Sequence, residues 1–333
     1  METAIVPMRY YDNTRISAYR ECPRKFYLRH VRDFVGEGIS VDLVFGLGWH
    51  EAMNILWPMV ANRAAKQSVI VAALGAFKQT WVENGLPAVI QENYQSISEN
   101  YPTKNPWIAA EMLMNYYEQR RLFIETCSEI EAERPFSVPL FDYNGRTIYL
   151  IGRLDKVVKH PSEGRLVIEH KTTGWYAKEG GFRQDYLESF SPNSQVDGYS
   201  FAGNSLYDGG IKAVWVDAAL THKTVHDKFK FIPIDRQFAA LDAWLTDTKT
   251  WVTRMIKEQE SHATYTTSAE SPLPDFPKNT SSCHLYNGCS FRSVCRYVPN
   301  PAVLKVAPPG FRIEHWEPFD VLKLGKIMEK EGT

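Results

Sequence analysis

Three residues in one short stretch could do hydrolytic chemistry: Asp155, Glu169 and Lys171. Residues 147–158 (TIYLIGRLDKVV) and 165–172 (RLVIEHKT) are rich in strand formers, and His160 to Gly164 between them reads as a turn. A hairpin turning about Ser162 sets Asp155 opposite Glu169, since the two are equidistant from its centre. Directly opposed side chains carry their Cβ atoms roughly 4.5–5.5 Å apart. Carboxylates that close repel, and a divalent cation between them removes the conflict. Lys171, two residues beyond Glu169, projects to the same face. Two carboxylates and an ammonium on one hairpin face match what phosphodiester hydrolysis needs. They offer hard oxygen ligands for Mg²⁺, and a cation to orient water or offset charge developing on phosphate oxygens. The competing reading is a surface strand with solvated charges. The apolar flanks Ile148, Leu150, Val157, Leu166, Val167 and Ile168 speak against it, because charges in such strands are costly unless employed.

The elements that must position these residues change period along the chain. The first third reads as mainly helical: 14–32, interrupted at Pro23; 41–62; 67–84; and 106–132. Residues 134–142 alternate and Asn144-Gly145 is a hairpin turn signal, so 134–172 reads as a three-stranded antiparallel meander. Residues 194–207 predict a helix, 211–220 a buried strand, 228–234 another strand and 235–259 a long helix. Residues 261–282 read as a Ser/Thr/Pro loop. The tail from 296 is expected to be extended and to pack through Phe311, Trp316 and Phe319. The expected class is α/β, with a mixed sheet flanked by helices. The whole chain reads as a single domain, 1–333, with a mainly helical region over 1–132, a catalytic core over 133–260 and a tail over 261–333.

Charge is balanced, 38 basic against 39 acidic residues, so any surface for nucleic acid must be local. The best stretch is 15–32, where Arg20, Arg24, Lys25 and Arg29 are candidates for phosphate contact; a solvated helix face is the alternative. No segment approaches the roughly 20 apolar residues of a membrane span, and the first residues lack a secretory apolar run. A cytoplasmic location is the default expectation. No P-loop is present, so any motor would be a separate partner. Five cysteines, an odd number in a chain of 333 residues, argue against a disulfide scaffold.

GRLDKVV (152–158) followed by VIEHKTT (167–173) resembles the core of PD-(D/E)XK nucleases, in the RecB-like and CRISPR-associated RecB-like branch. That branch has an upstream helical histidine, matched by His50 in GLGWHEA, and a downstream Q-x-x-x-Y element, matched by Gln195 and Tyr199. The resemblance implies a restriction-endonuclease-like core. It implies Asp155, Glu169 and His50 as metal ligands, with the backbone carbonyl of His170 as another. It implies Lys171 as the catalytic lysine, and Gln195 and Tyr199 as residues that position the DNA strand or support the site. Read alone, His50 fits a packed or capping histidine as well, and Tyr199 fits core filling. Asn54 in HEAMN excludes a zinc-protease HExxH, and Glu51 and Glu133 read as structural or solvated acids.

Cys22 stands near one end, and Cys283, Cys289 and Cys295 stand together near the other. Four thiolates suit a structural zinc or a [4Fe–4S] cluster. Members of the resembled branch hold such a cluster with one N-terminal and three C-terminal cysteines, although the triplet spacing here departs from the commonest pattern. Cys127 reads as a buried small hydrophobe.

The expected function is thus that of a Mg²⁺- or Mn²⁺-dependent DNA nuclease of a stand-alone, phage-like type. The expectation is an exonuclease acting on free or single-stranded DNA ends in recombination, repair or CRISPR-type pathways, with a separate helicase or recombinase as partner. The alternatives are a catalytically silent DNA-binding or scaffold protein on the same fold, and a nuclease acting on RNA.

Overall fold

A computed structural model of the chain describes residues 9–88, 90–178, 181–265 and 271–317. In chain order the elements are β1 (Tyr10–Tyr11), α1 (Asn13–Glu21), α2 (Pro23–Phe26), a π turn (Tyr27–Val31), β2 (Phe34–Gly36), α3 (Val41–Ala61), α4 (Lys66–Glu83), α5 (Tyr94–Asn100) and α6 (Pro106–Thr126). The strands β3 (Ser128–Tyr143), β4 (Arg146–His160) and β5 (Gly164–Thr173) follow, then β6 (Tyr176–Ala177), β7 (Gly181–Phe182), α7 (Gln184–Glu188) and α8 (Ser194–Leu206). The chain continues through β8 (Ala213–Leu220), β9 (Phe229–Ile234), α9 (Phe238–Ala263), α10 (Arg292–Tyr297) and β10 (Phe311–Ile313).

The chain divides into two compact units. One comprises Ile39–Arg134 and Arg153–Gln237. Its sheet runs β4–β5–β8–β9, with β5 and β8 parallel and the other neighbours antiparallel. The crossover from β5 to β8 carries α7 and α8, as a parallel connection requires. Leu166, Ile168, Ala213 and Ala219 pack into a core with α3, α4 and α6, built around Trp49, Leu56, Trp57, Phe77, Trp81 and Met112. Side chains alternate across a strand, so Val167, Glu169 and Lys171 project to the opposite face, and α8 packs against β5 and β8. The expected mixed sheet flanked by helices is therefore what forms.

Helix α3 begins at Ser40, whose hydroxyl accepts from the Leu43 N–H at 3.3 Å. A Cβ at Gly48 would lie 3.0 Å from the Phe77 ring, so glycine there lets α3 and α4 pack close. Helix α6 ends at Thr126 rather than continuing to residue 132 as the periodicity suggests. Cys127 turns into extended backbone and β3 starts at Ser128, which puts Glu129 to Arg134 in a strand. Helix α5 has no counterpart among the predicted elements, since its seven residues carry too short an apolar pattern to register.

The other unit comprises Met1–Gly38, Pro135–Gly152 and Phe238–Thr333. Tyr10 and Tyr11 pair in parallel with Tyr149 and Leu150, and the buried Tyr11 hydroxyl donates to Gln259 Oε1 on α9 at 3.1 Å. The expected break at Pro23 appears as the α1–α2 boundary. The tail is only partly extended: α10 reaches Tyr297 and a 3-10 turn spans Pro301–Val303, before β10 pairs with β2 and the Arg15 guanidinium stacks 3.6 Å from the Trp316 ring. Phe319 lies outside the described residues. Among those residues no helix is long and apolar enough to cross a membrane.

Candidate active site and metal centre

Strands β4 and β5 pair in the register Lys156↔Ile168, Val157↔Val167, Val158↔Leu166, Lys159↔Arg165 and His160↔Gly164, all centred on Ser162. One step further along, that register sets Asp155 opposite Glu169. There the ladder opens, and the Asp155 carboxylate takes the role of a partner strand: Oδ2 accepts the His170 backbone N–H at 3.0 Å. The same oxygen lies 3.1 Å from His50 Nδ1, which α3 delivers. Lys171 Nζ pairs with Glu169 Oε1. From α8, Gln195 Nε2 donates to Glu169 Oε1 at 2.9 Å and to the Tyr199 hydroxyl at 3.0 Å. The i, i+4 spacing of Gln195 and Tyr199 thus places both on the face that looks at β5. Expected site residues from four separate segments therefore meet in one unit.

The centre is densely charged and its carboxylates are buried. Asp155 is 8% exposed and Glu169 2%. Glu169 Oε2 is buried and has no hydrogen-bond partner. Burial, then the facing Asp155, push the Glu169 carboxyl up to about 7, against the pull of Lys171 and His50. Burial also works to raise Asp155, yet the His50 charge and hydrogen bond, with Lys171 and His170 behind them, hold it well below the usual carboxylate range. Burial opposes the His50 imidazolium, but Asp155 and Glu169 outweigh it and lift the ring to about 9. For Lys171, burial likewise opposes the charge and loses to Glu169 and Asp155, so its pKa rises.

His50, Glu133 and Asp155 each offer a ligand atom within 4.8 Å of the others. Together with the unpartnered buried Glu169 oxygen, this donor set of one imidazole and carboxylate oxygens fits a hard divalent cation. A cation binding here must displace the proton on His50 and that on Glu169 where it is still held, so affinity must rise with pH. The expected result is release of about two protons per Mn²⁺ below pH 7, about one between 7 and 9, and none above. Calorimetry in buffers of different ionisation heat reads this directly, and pH-independent affinity over that window would refute the arrangement.

On the other face of β5 lies a second polar group that the sequence pattern does not announce. His170 projects toward α3 and α6, its ring Nδ1 3.4 Å from Asp217 Oδ2, and burial drives its pKa down to about 4. Asp217 stands opposite His170 in the β5–β8 register. It accepts from Arg120 Nη2 at 3.0 Å and from the Tyr116 hydroxyl at 2.5 Å, and that hydroxyl in turn accepts from Trp57 Nε1 at 2.9 Å. The available signal was a lone charge inside the apolar run WVDAAL. Glu133 was visible as an acid but not as a neighbour of His50.

The basic stretch does not form one cationic face. Arg24 is buried and donates to the Phe276 carbonyl at 2.9 Å and the Pro299 carbonyl at 3.4 Å. Lys25 pairs with Glu21 at 2.7 Å. Arg20 is exposed near the Trp251 ring. Arg29 is half-buried, with its Nη1 buried and without a hydrogen-bond partner. Of the four candidates, Arg24 is thus spent inside the fold and Lys25 is paired with Glu21.

All five cysteines are free. Cys22 lies buried at the α1–α2 junction, and its Sγ accepts the Asn279 N–H at 3.3 Å. Among the described residues the sulfurs of Cys22, Cys283, Cys289 and Cys295 are not drawn into a ligand group within 4.8 Å, so the structure does not present a ready-made metal pocket there. Burial raises Cys289 and Cys295, and Cys22 adds to both. Cys127, at the end of α6, is buried in the core of its unit, as expected.

A family model described as the PD-(D/E)XK nuclease superfamily matches residues 13–296. No curated protein matches the chain. Among solved structures, a candidate exonuclease from Eubacterium rectale is similar at 13% identity, covering 77% of this chain and 83% of its own, with a TM-score of 0.40. The protein SSO0001 is similar at 13% identity, covering 70% of this chain and 84% of its own, with a TM-score of 0.25. At these scores neither structure bears on what this chain does.

Proposed function

We propose that this chain, which belongs to the PD-(D/E)XK nuclease superfamily, is a metal-dependent nuclease that cuts DNA phosphodiesters at the hairpin centre of β4 and β5. The observation that carries the reading is the buried Glu169, opposite Asp155 and with one oxygen unpartnered. Such an arrangement is costly unless a cation completes it.

In this reading His50, Asp155 and Glu169 hold Mg²⁺ or Mn²⁺, with the His170 carbonyl as a further ligand by resemblance. The bound cation supplies charge stabilisation to the phosphate and lowers the pKa of water. The chain's own residues do the rest. Lys171, anchored on Glu169, presents an ammonium to the attacked phosphate and orients the incoming water. Gln195 fixes Glu169 Oε1, so the carboxylate keeps one rotamer and its other oxygen stays available. Tyr199, tied to Gln195, closes the α8 side of the site. Burial of the two carboxylates excludes bulk water and strengthens each of these interactions.

The finer reading is an exonuclease of the RecB-like branch, acting on free or single-stranded DNA ends. Its setting would be cytoplasmic, with a separate helicase or recombinase as partner and a role in phage, recombination or CRISPR-type processing. Digestion of end-labelled linear DNA, covalently closed circular DNA and RNA, each with Mn²⁺ or Mg²⁺, tests it. Loss of the linear DNA alone is the expected outcome. Cutting of the circle would make it an endonuclease, preference for RNA would reverse the substrate, and inertness toward all three would overturn the reading.

A [4Fe–4S] cluster on Cys22, Cys283, Cys289 and Cys295 is the accompanying proposal, with zinc as the alternative. It is supported by four free thiols in one unit and by basic neighbours: Lys25 near Cys289, and Arg24 and Lys278 near Cys295. Iron and acid-labile sulfide in anaerobically purified protein decide between the two.

A further inference from the structure

We infer that Glu133 is an additional metal ligand of this chain and that Asn54 is the residue that positions it. The inference rests on the metal-dependent reading above and extends its ligand set beyond the motif residues.

Three observations converge. A Glu133 carboxylate oxygen lies within 4.8 Å of ligand atoms of both His50 and Asp155. Glu133 has φ +51°, a left-handed conformation that side-chain-bearing residues rarely adopt. Strain of that kind persists where the surroundings impose it, commonly at functional sites. Both carboxylate oxygens are tethered: Oε1 accepts from Asn54 Nδ2 at 3.0 Å and Oε2 from Arg153 Nη1 at 3.2 Å. An ionised carboxylate accepts at about four lone-pair positions, so two tethers orient it and leave room for a cation.

Asn54 is itself locked. Its Oδ1 accepts from Lys156 Nζ at 2.9 Å, and Lys156 is fully buried. An ammonium only donates and a carboxylate only accepts, so one amide orientation alone satisfies both neighbours. Asn54 follows His50 by one turn of α3, on the same helix face. One helix therefore delivers a ligand and, a turn later, the clamp for a second ligand from β3. The rival role for Glu133 is a plain counter-ion to Arg153, which would leave the cation untouched.

Mn²⁺ titration of the full chain, followed by water-proton relaxation of the bound ion, separates the two. Glu133→Gln keeps the side-chain shape and should weaken Mn²⁺ binding about ten-fold to a hundred-fold, as lost support of a metal site typically does. It should also raise relaxation of the bound ion, because water enters the vacated position. Asn54→Ala should shift both readouts in the same direction by less. If both variants bind Mn²⁺ as the wild type does, with unchanged relaxation, the inference is overturned, whatever happens to their melting temperatures. Asp155→Asn is the control. Loss of binding there with a normal Glu133→Gln sinks only this inference; undiminished binding in Asp155→Asn sinks the metal-dependent reading beneath it. Should Glu133→Gln fail to fold, Asn54→Ala decides alone.

Discussion

Asp155→Asn should cut DNA hydrolysis by a factor on the order of 10³ while leaving the protein folded. The amide is isosteric and can still accept the His170 backbone N–H through its oxygen, so the open end of the hairpin keeps its hydrogen bond. What it loses is a charge. A metal ligand at this position contributes several kcal/mol of transition-state stabilisation, and each 1.36 kcal/mol is tenfold in rate. The same charge is the largest influence raising His50, whose pKa stands at about 9. In Asp155→Asn that pKa should therefore fall, because burial is then opposed by the Glu169 charge alone. Single-turnover cleavage of end-labelled DNA, beside an NMR titration of the His50 ring, reads both effects. A variant within tenfold of wild type would show that the cutting centre lies elsewhere, and an unchanged His50 titration would show that Asp155 does not hold its proton.

Asp217→Ala should destabilise the protein by about 3–5 kcal/mol, the cost typical of breaking a buried ion pair from one side. The substitution strands Arg120, 9% exposed, without its carboxylate, and takes the acceptor from the Tyr116 hydroxyl. It also leaves the His170 ring beside Lys156 with no anion at its Nδ1. Replacing Arg120 and Asp217 together with apolar residues of similar volume should recover much of the loss, since it is the unpaired charge that costs. Urea unfolding of the metal-free protein measures both. A change under about 1 kcal/mol for Asp217→Ala would mean that Arg120 reaches water, and that this polar group does not hold the sheet.

The β4–β5 hairpin was legible in the sequence because a strand register is arithmetic. Once the turn at 160–164 is seen, the opposition of Asp155 and Glu169 follows, and the observed ladder has that centre. His50, Gln195 and Tyr199 were legible only through resemblance, since nothing in their spacing says which strand their helices face. The family match agrees with that resemblance at the level of the superfamily. The basic stretch was only partly legible: composition counts guanidinium groups, while Arg24 and Arg32 use theirs on backbone carbonyls of the tail. Glu133 was hidden by the end of α6. A helix carried on to 132 leaves no strand to bring that carboxylate to His50, and the positive φ at Glu133 leaves no trace in residue type. Asp217 was masked by its apolar neighbours, which predict a buried strand and say nothing of the cation awaiting it on α6.

The pairing of His170 with Asp217 across β5 and β8 bears on how the β4–β5 hairpin could be moved to another protein. Grafting residues 146–173 onto a foreign scaffold would carry Asp155, Glu169 and Lys171 and leave behind the carboxylate that faces the underside of their strand. The transplanted His170 would then sit in an apolar interior with no anion beside it, and the hairpin would have reason to flip or slide by one residue, turning the three reactive groups inward. The smallest portable unit therefore includes β8 with Asp217 and the turn of α6 that bears Tyr116 and Arg120. A recipient scaffold would have to accept a buried charge pair before it could accept a nuclease.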